Sequence, residues 1–298
     1  MDTLTSIRVF REVIEAGSFV AASQRLGLST AMTSKHVAHL ERTLGGRLLN
    51  RSSRHLSLTD IGRVYYEQCR EALDILQSAE AAVGQQAHRP SGLLRVTAPV
   101  WFANQGFADI LARYRIRYPE VVVEMTLENR RADLIEEGYD LALRATAEPS
   151  PALIVRPLGR VPFVLVGAPG YLEIHGRPAS VAQIADHDAI LPTYIDLNNI
   201  ELDSPTGRVR IQHRASLRSN DSTLALCAAR GGMGLVYLPR WLVDDDLAAG
   251  RLEQVLPGAL LAPTLYAAYT SRKYMAPKVR TFIDFVVQAL GDEAMLSA

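Results

Sequence analysis

Two cysteines, Cys69 and Cys227, are all that the 298 residues contain. They lie far apart, in neither a CxxC pair nor a Cys/His spacing, which argues against both a disulfide framework and a zinc site. Long hydrophobic runs are missing too: no stretch approaches the roughly 18 apolar residues of a membrane span. The opening residues, MDTLTSIRVFREVIEAGS, lack the basic start and unbroken apolar core of a signal peptide. Net charge is the third absence. The 32 basic residues balance 32 acidic ones, so no overall field draws the chain to nucleic acid or to an anionic membrane. Together these absences predict a cytoplasmic protein with no membrane partner. Its length and its 48% apolar content predict two or three ordinary folding units.

Positive charge is concentrated in one place. Residues 35 to 63 hold Lys35, Arg42, Arg47, Arg51, Arg54 and Arg63 against Glu41 and Asp60, an excess of four that suits a polyanion. The segment follows a helical pattern. Leu4, Ile7, Phe10 and Ile14 predict the buried face of a first helix ended by Gly17. Ser18 caps a second helix, burying Phe19, Ala22 and Leu26, and Gly27 stops it. Ser29 caps a third, with Thr33, Val37, Leu40 and Leu44 as its core side and Gly45 and Gly46 at its end. Two short helices joined by a tight Gly-containing turn make a helix-turn-helix.

The opposite face of the third helix carries Thr30, Ala31, Ser34, Lys35 and Ala38. A helix in the DNA major groove needs such slim and hydrogen-bonding residues near its start, with Lys or Arg for phosphates. The stretch RLLNRSSRHLSLT then alternates as a short hairpin with Arg51, Ser52, Ser53 and Arg54 at its tip, a wing able to grip the backbone. A solvated basic face would account for any single arginine here, but not for the whole arrangement.

Thr59 caps a longer helix, expected to run to about residue 88. Tyr65, Cys69, Ala72, Leu76, Ala79 and Val83 repeat along it by four and three, the period of a coiled-coil seam. That seam predicts a dimer, which would present two third helices to two DNA half-sites. HRPSG at 88–92 breaks the helix. Beyond it LLRVTAPV, GFADILARYRIRYP, VVVEMTLE, DLIEEGY and DLALRA alternate strand and helix, predicting a mostly parallel sheet with helices on both faces. Later, VRIQHRASLRS reads as one extended stretch before the helix STLALCAARGG. The remaining length allows two α/β lobes with a cleft outside the strand ends.

Two strand-to-helix junctions face such a cleft. Thr97 to Phe102, TAPVWF, offers free backbone N–H groups to an anionic ligand, although Trp101 would serve equally as core. Asn220, Asp221 and Ser222 either cap the next helix or touch a ligand. Thr193 ends another strand. GGMG at 231–234 follows a helix and opens a strand, the reverse of a phosphate-binding loop. His175, His187 and His213 lack metal spacing, and no GxSxG elbow is present. No catalytic group, metal site or cofactor site assembles, so an enzyme is not expected.

The stretch FREVIEAGSFVAASQRLGLSTAMTSKHVAHLERTLGGRLLNRSSRHLSLTDIG resembles the winged helix-turn-helix of LysR-type transcriptional regulators. YPEVVVEMTL, EEGYDLALR, PGYL, AARGGMGLVYLP and GRLEQVLP follow in that family's order. The resemblance covers Leu4 to about Leu290. It implies an α/β chain with three parts: a winged helix-turn-helix over residues 1–59, a linker dimerisation helix over 60–88, and a periplasmic-binding-protein-like effector domain over 93–298. Lobe I of that domain would span about 93–161 plus 266–298, and lobe II 162–265. The implied activity is bacterial transcription control: a small effector in the cleft alters how a tetramer sits on or bends promoter DNA, with RNA polymerase as a further candidate partner.

Carried over by position, the family's DNA contacts fall on Ser29, Thr30, Ala31, Thr33, Ser34, Lys35 and His36 in the helix, and on Arg51, Ser52 and Arg54 in the wing. Lys35 replaces a common Arg, which favours a phosphate contact over bidentate reading of guanine. The implied effector contacts are Val100, Trp101, Phe102, Thr126, Arg144, Thr146, Thr193, Asn220, Asp221 and Ser222. Trp101 stands about where many members carry a small hydroxyl residue, which implies a narrower cleft suited to an aromatic or apolar compound. A solute-binding protein and an enzyme fused to a DNA-binding module are the rival readings, and the first 60 residues and the absent catalytic group weigh against them.

Overall fold

The computed structural model describes residues 1–51, 56–83, 90–130, 132–146, 153–204, 207–258, 261–270 and 275–292. The chain divides into one compact unit of Met1–Arg89 with Arg272–Pro277, and a second of Pro90–Ser271 with Lys278–Ala298.

The first unit holds α1 (Thr3–Glu15), α2 (Phe19–Leu26), α3 (Thr30–Leu44), the antiparallel pair β1 (Leu49–Arg51) and β2 (Leu56–Leu58), and α4 (Asp60–Val83). Each start is fixed by a side chain. Asp2 accepts from Thr5 N–H, Ser18 from Ala21 N–H and Ser29 from Met32 N–H, which satisfies amides that a first turn leaves open. Gly27 and Gly45 close α2 and α3 in the left-handed conformation. Val9, Phe10, Val13, Ala22, Val37, Leu40, Leu48, Leu49 and Tyr66 form the core. The buried face of α1 is therefore Ser6, Val9, Phe10 and Val13, while Leu4 is 39% exposed. Leu44, expected inside, is 44% exposed, because α3 ends there and its last turn projects past the core.

The corner between α3, the β-pair and α4 is held by one threonine. Thr59 N–H donates to Leu48 O at 3.0 Å, its hydroxyl donates to Arg47 O at 2.7 Å, and the same oxygen accepts from Gly62 N–H at 2.9 Å. Glu41 of α3 accepts from the N–H groups of Leu48 and Leu49.

The second unit carries two five-stranded sheets. Lobe I has the order β4-β3-β5-β14-β6, from β3 (Gly92–Ala98), β4 (Val121–Leu127), β5 (Leu141–Thr146), β6 (Ile154–Arg160) and β14 (Thr264–Tyr269). It is flanked by α5 (Gln105–Arg117) and α9 (Pro277–Asp292). Lobe II has the order β11-β8-β12-β7-β13, from β7 (Phe163–Gly167), β8 (Asp188–Pro192), β11 (Arg214–Ser219), β12 (Leu235–Pro239) and β13 (Glu253–Gln254). With it go α6 (Pro169–His175), α7 (Ser222–Arg230), α8 (Arg240–Ala248), and a separate hairpin of β9 (Glu201–Ser204) and β10 (Gly207–Arg210).

Residues alternate between the two faces of the lobe II sheet. Leu165, Ala189, Leu191, Leu235 and Tyr237 enter one core with Tyr171 and Leu172. Val164, Val166, Ile190, Val236 and Leu238 enter the other with Ala225, Ala228, Ala229 and Val243. Both faces are covered, as the apolar strands required.

Neither sheet is mostly parallel. In each, two pairings are parallel and two antiparallel, because the chain crosses between lobes twice. It leaves through β6 into β7 and returns through Leu261–Pro263 into β14, where Val161 N–H donates to Pro263 O and Phe163 N–H to Leu261 O. Such a returning strand enters its sheet antiparallel. DLIEEGY is a turn rather than a helix. Asp133 caps Ile135 and Glu136 N–H, and Gly138, at φ 70°, closes the segment five residues later, so no second turn forms. VRIQHRASLRS is broken at Ile211–His213 and feeds both β10 and β11. GGMG joins α7 to β12, and a Cβ on Gly234 would meet Asp188 O at 2.4 Å, so this glycine serves the close approach of two strands.

Candidate nucleic-acid interface and ligand cleft

The exposed face at the start of α3 is Ser29, Thr30, Ala31, Met32 and Lys35, with Ser34 half-buried beside them. Two expected DNA contacts are not on it. Thr33 is fully buried and donates its hydroxyl to Ser29 O, one consequence of its place on the core stripe with Val37 and Leu40. His36 is 7% exposed, and its Nδ1 lies 2.9 Å from Ser6 Oγ. The Ser6 hydroxyl already donates to Asp2 O, so His36 Nδ1–H is the donor in this pair. It fastens α3 to α1 and cannot reach a base edge. In the wing, Arg51 ends β1; its side chain, Ser52 and Arg54 lie outside the described residues.

The expected seam on α4 divides in two. Tyr65 is half-buried with its ring 5.9 Å from Phe10, and Cys69 is 5% exposed, so this half packs within its own unit rather than facing a partner. Burial pushes the Tyr65 phenol up to about 12 and raises the Cys69 thiol. Ala72 and Leu76 are exposed. The side chains of Ala79 and Val83 lie outside the described residues.

The cleft between the lobes holds two adjoining cavities of about 920 and 1070 Å³. Eight of the ten expected effector residues line them. Trp101, Asp221 and Ser222 line the smaller, Val100 and Thr193 the larger, and Arg144, Thr146 and Asn220 both. Phe102 and Thr126 line neither. Phe102 is fully buried, its ring stacked 4.6 Å from the Trp101 indole and 4.7 Å from Phe107. Thr126 is half-buried on edge strand β4.

Arg144 is the central cation. Its guanidinium donates to Leu143 O, Thr97 Oγ1 at 2.8 Å and Arg130 O, and burial lowers its pKa from the ordinary guanidinium value, opposed by nearby Glu128. Asn129, not singled out in the sequence, ties the lobes: its Oδ1 accepts from Val100 N–H and its Nδ2 donates to Asn220 O at 2.8 Å. Asp221 accepts from Leu224 N–H at 2.7 Å and so caps α7 while also lining the cavity. Trp241 packs 5.4 Å from Trp101, which makes the smaller cavity aromatic at one end.

A helix-turn-helix unit with a cation-bearing exposed face, on the same chain as a two-lobed ligand cleft, defines a ligand-responsive DNA-binding protein. Residues 4–63 match the bacterial regulatory helix-turn-helix protein, lysR family, and residues 87–291 match the LysR substrate binding domain. The chain belongs to the LysR family of DNA-binding transcriptional regulators. It is 32% identical over 286 residues to the HTH-type transcriptional activator AaeR of Escherichia coli, covering 95% of this chain and 93% of that one. It is 31% identical over 290 residues to the HTH-type transcriptional regulator CrgA of Neisseria meningitidis, covering 96% of each. The solved structure of CrgA superposes with a TM-score of 0.60 over 96% of this chain and 98% of that chain, at 30% identity. The full-length Vibrio cholerae virulence activator AphB gives 0.59 over 97% and 99%, at 27% identity. These similar proteins are regulators, and among the described residues no helix is long and apolar enough to cross a membrane.

Proposed function

We propose that this chain is a cytoplasmic, non-enzymatic regulator that reads promoter DNA through α3 and whose occupancy or bending of that DNA is set by a small molecule in the cleft. The exposed, slim, hydrogen-bonding face of Ser29, Thr30, Ala31, Ser34 and Lys35 is the observation that carries this reading. Ser34 and Thr30 supply hydroxyls for base edges, Lys35 a phosphate contact, and the wing residues Arg51, Ser52 and Arg54 further phosphate contacts. Pairing through α4 at Ala72 and Leu76, continued by Ala79 and Val83, gives a dimer. Two dimers joined through effector domains give a tetramer, with RNA polymerase as the downstream partner. The division into residues 1–59, 60–88 and 93–298 follows these roles. In the cleft, Trp101, Arg144, Thr146, Asn220, Asp221 and Ser222 are the ligand contacts, with Val100 and Thr193 at its second chamber. A ligand bound equally by both arrangements of the assembly would shift nothing, so the effector must favour one.

The test is competition binding of the full chain on DNA fragments selected from its own genome. Ser34→Ala and Thr30→Ala should change the ranking among fragments. Arg51→Ala should weaken all of them and flatten the salt dependence by about one unit. An unchanged ranking with both α3 variants would remove α3 from the groove.

A further inference from the structure

We infer that the connection between β8 and β11 is a flap along the smaller cavity, that neutral His213 latches it at its base, and that a proton on this histidine releases it. β8 and β11 are parallel neighbours, and two such strands usually need a helix between them to bring the chain back. Here the chain makes a 3₁₀ turn, Leu197–Asn199, and then the β9–β10 hairpin. The hairpin forms a two-stranded sheet of its own and shares no ladder with the five strands of lobe II. Packing holds it instead. Leu197, Leu202 and Ile211 are buried in the lobe II core, with Ile200 and Val209 against the same cluster. Tyr194, Ile195, Ile200, Glu201, Arg208 and Arg210 line the cavity, so this connection supplies one of its walls.

The base of the flap is closed by one histidine. Asn198 Oδ1 accepts from His213 N–H at 2.8 Å and stands 3.1 Å from His213 Nδ1. An oxygen that faces a backbone donor is an acceptor, so Nδ1 carries the ring proton and Nε2 is left with a lone pair. Nε2 lies 3.0 Å from the Tyr237 hydroxyl, which therefore donates to it. Asn198 precedes β9, His213 follows β10, and Tyr237 lies on β12, the central strand of the sheet. The imidazole thus ties both ends of the flap to each other and to the sheet. A proton on Nε2 would put two donors face to face. The Tyr237 hydroxyl would have to turn away, and among the described residues no other acceptor meets it. His213 is also 8% exposed. Burial holds its imidazole below the ordinary 6.5 and outweighs the Ile211 carbonyl and the Asp196 carboxylate, which favour the charged form. Tyr237 is the other titratable group against the ring, and burial pushes its phenol up, so it stays neutral. Arg214, the next residue, points to the opposite face and pairs with Asp188. In a released flap the imidazole returns to its ordinary value, so the open form binds more protons. The latch is therefore at full strength above pH 6.5 and weakens as pH falls from there toward the lower value of the latched form.

The experiment follows hydrogen exchange of the full-length protein by mass spectrometry between about pH 7.5 and about pH 5.5, corrected for the intrinsic pH dependence of exchange. Segments 194–202 and 207–212 should open at least about threefold more at the acid end, and by no more than about tenfold per pH unit, the limit for one proton. β7 and β12 should keep their protection. Asn198→Asp sets a carboxylate against Nδ1 and stabilises the charged ring, so its flap should stay protected in acid. His213→Phe should exchange faster at every pH, with no acid increment. His187→Gln removes a buried histidine of the same lobe that meets Tyr171 instead, and should leave the release in place. Flap protection indifferent to pH, an equal loss in β7 and β12, or an acid release retained by Asn198→Asp or His213→Phe, or lost in His187→Gln, would overturn the inference. The latch does not depend on what the cavity binds, and no DNA is present in the assay, so this result and the regulatory reading stand or fall separately.

Discussion

Gly62→Ala tests how the first unit holds α3 and the wing in register. A Cβ built on Gly62 lies 1.9 Å from the Leu48 carbonyl oxygen and 2.8 Å from its carbon, where ordinary contact begins at 3.4 Å. Neither side can give way cheaply. Leu48 is fully buried, its carbonyl oxygen accepts from Thr59 N–H, and Gly62 N–H is itself bonded to Thr59 Oγ1. Overpacking against movable side chains costs about 1 to 3 kcal/mol, and backbone against backbone belongs at the top of that range. For a unit of this size each kcal/mol lowers the melting temperature by about 4 to 8 °C, so a drop of at least about 10 °C is expected. The assay separates the units by signal. Far-ultraviolet circular dichroism sees helices of both, whereas Trp101 and Trp241 lie only in the second. Circular dichroism of the variant should show an early loss with the tryptophan transition unmoved. A first transition within about 2 °C of the parent would refute the packing of α4 on Leu48.

Three other outcomes follow from named contacts. His36→Leu should cost the first unit about 1 to 2 kcal/mol by removing the donor to Ser6, yet leave the ranking among DNA fragments unchanged; an altered ranking would return His36 to the groove. Asp246 is fully buried between Arg230 and Arg251; burial would raise its pKa, but their hydrogen bonds outweigh this and hold it below the ordinary 3.8. A folded pKa below the unfolded value gives stability that is present above pH 3.8 and is lost as pH falls through the folded value. The tryptophan-monitored unfolding of Asp246→Asn should accordingly be weaker at neutral pH and flatter with pH in acid, and a parallel acid profile would contradict the pairing. Asn129→Ala should loosen the link between lobes, seen as faster amide exchange at Val100, and unchanged exchange would show that the link holds nothing.

The helix-turn-helix was legible because its caps are side chains with fixed spacing: Ser18, Ser29 and Thr59 each bond the amide that their sequence position predicts. Burial on the helices was less legible. A hydrophobic stripe marks a direction and not its ends, so Leu4 and Leu44 were expected inside, while the polar Ser6 and His36 sit inside because they satisfy each other. Both lobes could be anticipated from alternating elements, but a strand's direction comes from the crossover, which composition does not record. The hairpin arginines were missed for a related reason. Arg210 lies in the stretch VRIQHRASLRS and Arg208 just before it, and the break at Ile211–His213 that separates their hairpin from β11 carried no signal. Asn129 carried no signal at all, since its work depends on a partner 91 positions away.

The most direct measurement mixes the full-length protein with fragmented DNA of its own organism, recovers the bound pieces and sequences them, for the parent chain and for Ser34→Ala with Lys35→Ala. A few enriched intergenic sites bearing an imperfect palindrome, lost or re-ranked in the variant, are the predicted result. Random fragments that vanish at moderate salt, with the parent and the variant alike, would contradict the claim that α3 reads sequence.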